Sequence, residues 1–375
     1  MKRVLIFSTT YHPYVGGAEI AIQEIAKRCT DIEFDLLTCR MSRANPLVEK
    51  VGRVTTYRLG MGIPLVDKLC APFLGALKTL NLSRKHSYTA YWAMMVSYMS
   101  GAAYIANFLR FRNQTPIVLT LQEGDSEEHL TKRWFGLLNS AWKLALRNAH
   151  IVTVISAYLA VRARRFGCTV PIVTIPNGVD THLFTGVLTK HNSTVLITTS
   201  RLVQKNGIDT VLRALPLMPG VRFRILGTGP DQKKLKNLAA SLGILERVEF
   251  TGHVPYKAIP AHLHKADIFV RPSRSEGMGN SFVEAMAAGL PVIATQEGGI
   301  ADFLFDAKRN PDKPTTGWAV DKDSPEQIAV AVREILEHPE AVERVKKAAR
   351  DMVIKKYDWD LVARDMREKV FANLL

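Results

Sequence analysis

Glu276 and Glu284 are separated by seven residues and flank a glycine-rich turn in the stretch SRSEGMGNSFVEAMAAGLPVIATQ, residues 273–296. Carboxylates are strong acceptors, so neutral hydroxyls such as those of sugars suit them as partners. A helix starts between them, and the first turn of a helix presents N–H groups that hold phosphate. Gly277 and Gly279 let a ligand approach the backbone closely. The N–H groups of Gly279, Asn280 and Ser281 fall where that turn opens. The chemistry implied is phosphate on the helix end with hydroxyl-rich groups on either side. Ser281 and Glu284 also fit the S-x-x-E capping box, in which both side chains serve backbone donors. Glu276 has no comparable local partner in the sequence.

A second basic loop, SRLVQKNG at 200–207, follows a strand-like run and precedes a helical one. Arg201 as a bidentate donor and Lys205 as a point charge suit a diphosphate, although a solvated loop carries such charges too. Gly227 lies in LGTGPD, a glycine turn after a strand that lacks the full dinucleotide spacing. His253 and Val254, in GHVPY, end the next strand, where backbone can meet a nucleobase and where an ordinary exposed histidine is equally at home. Gly16 and Gly17 join the first strand to the first helix. They serve either a tight turn or a ligand-facing loop. Gln122, Glu123 and Asp125 gather at the end of another strand, LQEGD. The triplet Asp358-Trp359-Asp360 starts the last helix, where aspartate caps well. No His, Cys or carboxylate cluster has metal-ligand spacing, so no metal and no cofactor is expected.

These loops must be positioned by strands and helices, and the sequence alternates the two throughout. RVLIFST, FDLLTC, RVTTYRL, PIVLTLQ and HIVTVIS read as strands in the first half, with GGAEIAIQEIAKRC, Leu130–Ala149 and AYLAVRARRFG as helices. After the turn signal Asn177-Gly178 the rhythm restarts with TVLITTS, VRFRILG, RVEFTG, DIFVRPS and PVIAT. Such alternation implies right-handed crossovers and two doubly wound parallel sheets, an α/β chain whose ligands bind outside the carboxyl ends of the strands. A length of 375 residues suits two domains of this kind. The uncharged run Ser87–Phe108 approaches the length of a membrane span. Its serines, Gly101 and Asn107 instead favour a short strand, Tyr88–Trp92, followed by a buried helix.

Four scattered cysteines form no CxxC pair and suggest reduced thiols in a cytosolic compartment. The N-terminal apolar run is short and reads as a strand, not a signal peptide. Charge is uneven: residues 1–180 hold 22 Lys and Arg against 12 Asp and Glu, and residues 181–375 hold 28 against 23. The excess favours anionic partners without choosing among them.

Taken together, Gly16-Gly17-Ala18-Glu19, Arg201 to Gly207, Gly227 to Pro230 and Glu276 to Thr295 resemble the retaining nucleotide-sugar glycosyltransferases of the GT-B fold. The similarity is to the glycosyl transferases group 1 family (family 4 type), which includes sucrose-phosphate synthases and bacterial mannosyl- and glucosyltransferases. It spans nearly the whole chain. The resemblance implies an N-terminal Rossmann-like acceptor-binding domain over 1–179, with a final helix at 358–375 packing back on it. It also implies a donor domain over 180–357. Arg201 and Lys205 would hold the donor diphosphate, Glu276 the donor sugar and Glu284 the ribose. Gly279 to Ser281 would support the phosphates, and Gly17 would close over them. Two departures stand out. Gln122 replaces a histidine common among relatives, and KNG replaces a lysine directly before glycine. Both leave the acceptor and the route of its proton open.

The activity so implied moves a hexosyl group from a UDP- or GDP-linked donor to a hydroxyl of a glycan or lipid-linked acceptor, in cell-surface glycan or glycolipid biosynthesis. The setting is cytoplasmic, with a peripheral position at the inner face of the plasma membrane as an option. Basic residues Arg84, Lys85, Lys132, Arg133, Lys143 and Arg162 to Arg165 suit an anionic membrane surface. Nucleic acid is not expected, since base-stacking aromatics are not interleaved with the cations. A nucleotide-sugar epimerase on the same fold and a non-catalytic anion-binding module are the alternatives.

Overall fold

A computed structural model describes residues 2–111, 113–124, 137–186, 189 and 193–374. The chain divides into two compact units, Met1–Asn177 with Trp359–Leu375, and Gly178–Asp358.

The first unit is built on an eight-stranded sheet of β1 (Lys2–Phe7), β2 (Ile32–Cys39), β3 (Val48–Val51), β4 (Val54–Leu59), β5 (Ala90–Met94), β6 (Ile117–Leu121), β7 (Ile151–Val154) and β8 (Ile172–Thr174). Their order is β3-β4-β2-β1-β5-β6-β7-β8. All pairs are parallel except the edge hairpin of β3 with β4. The central strands read as unbroken apolar runs because helices cover both faces. Those helices are α1 (Gly17–Arg28), α2 (Pro64–Lys85), α3 (Ser100–Leu109), α4 (Leu137–Asn148) and α5 (Ala157–Arg165).

The second unit carries six parallel strands: β9 (Val195–Thr199), β10 (Arg222–Leu226), β11 (Val248–Gly252), β12 (Ile268–Arg271), β13 (Val292–Ala294) and β14 (Trp318–Ala319). Their order is β11-β10-β9-β12-β13-β14. Helices α6 (Ile208–Ala214), α7 (Gln232–Ser241), α8 (Ile259–Leu263), α9 (Asn280–Ala287), α10 (Pro325–Glu337) and α11 (Pro339–Lys356) complete it. Strand order reverses at β1/β5 in the first sheet and at β9/β12 in the second, which places the crevice for a ligand at those two points.

The last helix, α12 (Trp359–Asp365), continues into a wider π turn, Met366–Phe371. Trp359, Val362, Ala363, Met366, Val370 and Phe371 are buried in the first unit's core with Ile22, Ile25 and Phe34. Both carboxylates of the D-x-D triplet are spent locally: Asp358 accepts from Thr181 Oγ1 and Asp360 from Arg28 Nε.

The uncharged run at Ser87–Phe108 resolves into β5 and α3, two residues later than expected for the strand. Among the described residues no helix is long and apolar enough to cross a membrane. Arg162 is a correction to the expected basic surface. It is buried, donates to the Glu123 carbonyl at 3.3 Å and lies against the rings of Trp142 and Tyr158, while Arg164 and Arg165 are exposed. Lys132, Arg133 and Asp125 lie outside the described residues.

Candidate active site

In the second unit the loops that leave β9, β10, β11 and β12 are stitched together by backbone hydrogen bonds. Ser200 N–H donates to the Leu226 carbonyl at 2.9 Å and Leu202 N–H to the Thr228 carbonyl at 2.9 Å. Gly227 N–H donates to the Gly252 carbonyl at 2.7 Å, and Arg274 N–H to the Lys205 carbonyl at 2.7 Å. Arg201 and Lys205, Gly227, His253 and Val254, and Glu276 therefore sit on one connected rim at the carboxyl end of the sheet. The first and last of these flank the reversal of strand order. Arg201 and His253 are exposed, and Lys205 is half-buried.

Glycine is required where this rim is tightest. Gly227 has φ +134°, and a Cβ there would lie 1.9 Å from the Ser200 carbonyl oxygen. Gly298, in the loop after β13, has φ +60°, and its Cβ would lie 1.9 Å from the Glu276 carbonyl oxygen. Gly299 N–H donates to that same carbonyl at 3.2 Å. The backbone of Glu276 is thus held from behind by a loop that sequence reasoning passed over.

The side chain of Glu276 does have a local partner. Arg271, the last residue of β12, is buried and donates from Nη2 to Glu276 Oε2 at 2.7 Å. Its Nη1 donates to Ser281 Oγ at 2.7 Å and to the Thr199 carbonyl at 3.2 Å. The guanidinium stands 4.1 Å above the ring of Phe282. Burial pulls its pKa down from the ordinary value, against the opposing pull of Glu276 and Glu284.

The capping box is not formed. Gly279, at φ +86°, is the N-cap of α9, and the helix opens at Asn280 with no side-chain cap. Ser281 is already inside the helix, and its hydroxyl serves Arg271. Glu284 lies one turn in, buried, and burial pushes its carboxyl up to about 7 while Arg271 pulls it down. A Cβ on Gly279 would meet Arg271 Nη2 at 2.7 Å and the Phe282 ring at 2.6 Å, so the turn passes too close for any other residue. Glu276, Ser281 and Glu284 thus surround one buried cation beside a helix start.

Arg274 ties this turn to the Lys205 loop. It donates to Asp209 from Nη1 and Nη2 at 2.9 and 2.8 Å, to Asp323 Oδ1 from Nε at 2.7 Å, and to the Gln204 carbonyl. The hydrogen bond to Asp209 is the first cause of its raised pKa. Arg271 and Arg274 both escaped sequence reasoning. The available signal was a charged residue ending an otherwise apolar strand, IFVR, followed by a second arginine three residues on.

In the first unit, Gly16 precedes α1, and its N–H donates to Glu19 Oε2 at 2.9 Å. Thr10 Oγ1 donates to the other oxygen of that buried carboxylate at 2.6 Å, which fixes the turn through Gly16 and Gly17. Gln122 and Asn177 exchange amide hydrogen bonds at 3.1 and 3.2 Å. Glu123 accepts from the N–H of Val96 at 2.7 Å and of Gln122 at 3.0 Å. Burial still raises its carboxyl against those donors. Among the described residues no group of three or more His, Cys, Asp or Glu side chains is placed to share a metal ion.

Both units have relatives among known proteins. Residues 15–183 match the family model Glycosyltransferase Family 4, and residues 182–352 match Glycosyl transferases group 1. Over 234 residues the chain is 32% identical to the GDP-mannose-dependent alpha-(1-6)-phosphatidylinositol monomannoside mannosyltransferase of Mycolicibacterium smegmatis. That match takes in 56% of this chain and 59% of that protein, so the chain spans about three fifths of the length of this relative. Sucrose-phosphate synthase from Thermosynechococcus elongatus has the same fold, with a TM-score of 0.85 at 20% identity, covering 100% of both chains. HepE of Anabaena, solved in complex with UDP-glucose, gives 0.79 at 20% identity, covering 99% of this chain and 100% of that one. Two doubly wound units of this kind define the GT-B class. The chain belongs to the glycosyltransferases that these two models describe, family 4 through its N-terminal unit and group 1 through its C-terminal unit.

Proposed function

We propose that the chain transfers a hexosyl group from a nucleoside diphosphate sugar to an acceptor hydroxyl, with retention at the anomeric carbon. The observation that carries this reading is the cluster at the β9/β12 reversal: Arg201 and Lys205 on one side, the start of α9 on the other, and Glu276 and Glu284 around Arg271. Arg201, Lys205 and the amides of Gly279, Asn280 and Ser281 hold the diphosphate. Glu276 accepts from hydroxyls of the donor sugar, Glu284 from the ribose, and the backbone at Gly227, His253 and Val254 faces the base.

The bond from the anomeric carbon to the phosphate oxygen breaks, and the bond to the acceptor oxygen forms on the same face. The acceptor proton passes to the leaving diphosphate. Negative charge grows on that diphosphate as the bond stretches, and one preorganised donor at such a point is worth roughly a hundred- to a thousandfold in rate. The paired cations and the helix end meet the charge, so the reading calls for no metal.

The mycobacterial relative takes GDP-mannose by its name, and HepE was solved with UDP-glucose. Both bases stay within the proposal. The phosphatidylinositol monomannoside in that relative's name supports a lipid-linked or glycan acceptor here, and Gln122 and Glu123 belong to that side of the reaction. The deciding experiment is calorimetry against UDP, GDP and ADP. Product analysis by NMR with the matching sugar nucleotide follows, with and without acceptor. Transfer with retained configuration supports the reading. An epimerised donor formed without acceptor, or no heat with any nucleotide, overturns it.

A further inference from the structure

Helix α2 is amphipathic in an inverted sense. A core-facing helix normally turns its large apolar side chains inward. Here the buried face is mostly small, Ala71, Gly75, Ala76 and Thr79, with Asp67 and Leu82 toward its ends, and a Cβ on Gly75 would meet Ala102 Cβ of α3 at 2.6 Å. Most of the large residues point out. Leu65, Leu69, Phe73 and Leu77 recur every fourth position and are between 51% and 69% exposed. Every exposed residue from Pro64 through Leu77 is apolar or cysteine. On the neighbouring helix, Phe108 and Phe111 stand 76% and 81% exposed at the carboxyl end of α3. Arg110 Nη1 joins that end to α2 by donating to Ser83 Oγ at 3.4 Å. A contiguous apolar face of this extent on an isolated chain marks an interaction surface.

Its charge selects the partner. Between residues 61 and 113 there are six Lys and Arg and a single carboxylate, Asp67. Asp67 is buried and accepts from the N–H groups of Met41, Met61 and Gly62 at 3.2, 2.8 and 2.9 Å, so it offers no outward negative charge. Arg84 and Lys85 are exposed where the apolar stripe of α2 ends. A protein partner or a second copy of this chain needs the apolar stripe alone. An anionic bilayer uses both features, acyl chains taking the leucines and phenylalanines and headgroups taking the cations. We propose that the α2–α3 face of the N-terminal unit docks on an anionic membrane surface, with α2 lying in the plane of the headgroups. The five charged residues within α2 keep it in that plane, not across the bilayer. This proposal does not depend on the transferase reading.

The test is co-sedimentation of the full chain with phosphatidylcholine vesicles and with vesicles containing about a third phosphatidylglycerol, at low and high salt. Binding is expected to the anionic vesicles and to weaken with salt. The triple variant Leu69→Glu, Phe73→Glu, Leu77→Glu is expected to lose about tenfold or more of that binding. Its thermal melt and its binding of nucleotide are expected to stay unchanged. The pair Arg84→Glu, Lys85→Glu should lower both the affinity and its salt dependence. Three outcomes overturn the proposal: no binding of the wild type to anionic vesicles at low salt, undiminished binding by the triple variant, or a wild-type dimer in sedimentation velocity that the triple variant converts to monomer.

Discussion

The buried Arg271 pairs with the half-buried Glu276, Nη2 to Oε2 at 2.7 Å, and the second arm of the same guanidinium holds Ser281 at 2.7 Å. One side chain therefore sets both the acidic edge of the turn and the first turn of α9. Removing this buried cation leaves the half-buried Glu276, the buried Glu284 and the Ser281 hydroxyl without it, at a cost of about 3 kcal/mol. Arg271→Met should lower the melting temperature of the C-terminal unit by roughly 10 °C. Arg271→Lys should recover little, because a point charge cannot serve Thr199, Ser281 and Glu276 from one plane. Differential scanning calorimetry of both variants checks this.

Lys205 is expected to act on the leaving diphosphate. Lys205→Ala should cut turnover by roughly a hundredfold with the thermal melt unchanged. Unchanged turnover in a folded variant removes Lys205 from the mechanism.

Arg274 acts one step further back. With Asp209 and Asp323 as anchors, its guanidinium holds the Gln204 carbonyl, while its backbone N–H holds that of Lys205. Arg274→Ala should weaken donor binding by about tenfold, the effect of losing one charge-assisted anchor of the loop. Isothermal titration with the nucleoside diphosphate would show it. Equal affinity in wild type and variant would mean the loop holds its shape without Arg274.

Glu284 gives the chain a pH signature. Burial pushes its carboxyl up to about 7 from an ordinary 4.5. The folded chain thus holds this proton more tightly than the unfolded chain does. The resulting stability is full below pH 4.5 and is lost as pH climbs through about 7. Donor binding should run the other way, because a ribose hydroxyl donates to the ionised form. The donor Kd should fall by about tenfold between pH 6 and 8, and Glu284→Gln should flatten that profile. A sugar nucleotide is the right probe, since its diphosphate carries no second ionisation near neutrality.

Gly227 and Gly220 separate crowding from backbone strain. Both have positive φ, +134° and +80°, but a Cβ on Gly220 meets nothing within 4 Å, whereas one on Gly227 lies 1.9 Å from a carbonyl oxygen. Gly220→Ala should cost about 1–2 kcal/mol in urea denaturation. Gly227→Ala should cost clearly more and should also weaken nucleotide binding.

The sheets were readable because apolar runs such as RVLIFST and TVLITT carry their own period, and strands covered on both faces need nothing else. Glu276 and Glu284 were readable as a pair, and their shared partner was not. Arginine at a strand end usually reaches solvent, and only the fold puts Arg271 between two carboxylates. The S-x-x-E spacing misled for a related reason. It fits a cap locally, but Gly279 takes the N-cap position and shifts the helix register past Ser281. Strand β3, VEKV, was hidden because its residues are mostly exposed and an edge hairpin needs few apolar contacts. Helix α2 was passed over because its leucines point away from the core that a periodicity argument assumes.

The order in which the chain leaves the ribosome follows from the placement of α12. The C-terminal unit is one uninterrupted segment, while the first unit lacks Trp359, Met366 and Phe371 until the whole of that segment has been synthesised. Although it is made first, the N-terminal half is the later of the two to reach its finished core. Until then it exposes, on the nascent polypeptide, the apolar surface that Trp359, Val362, Met366 and Phe371 will cover.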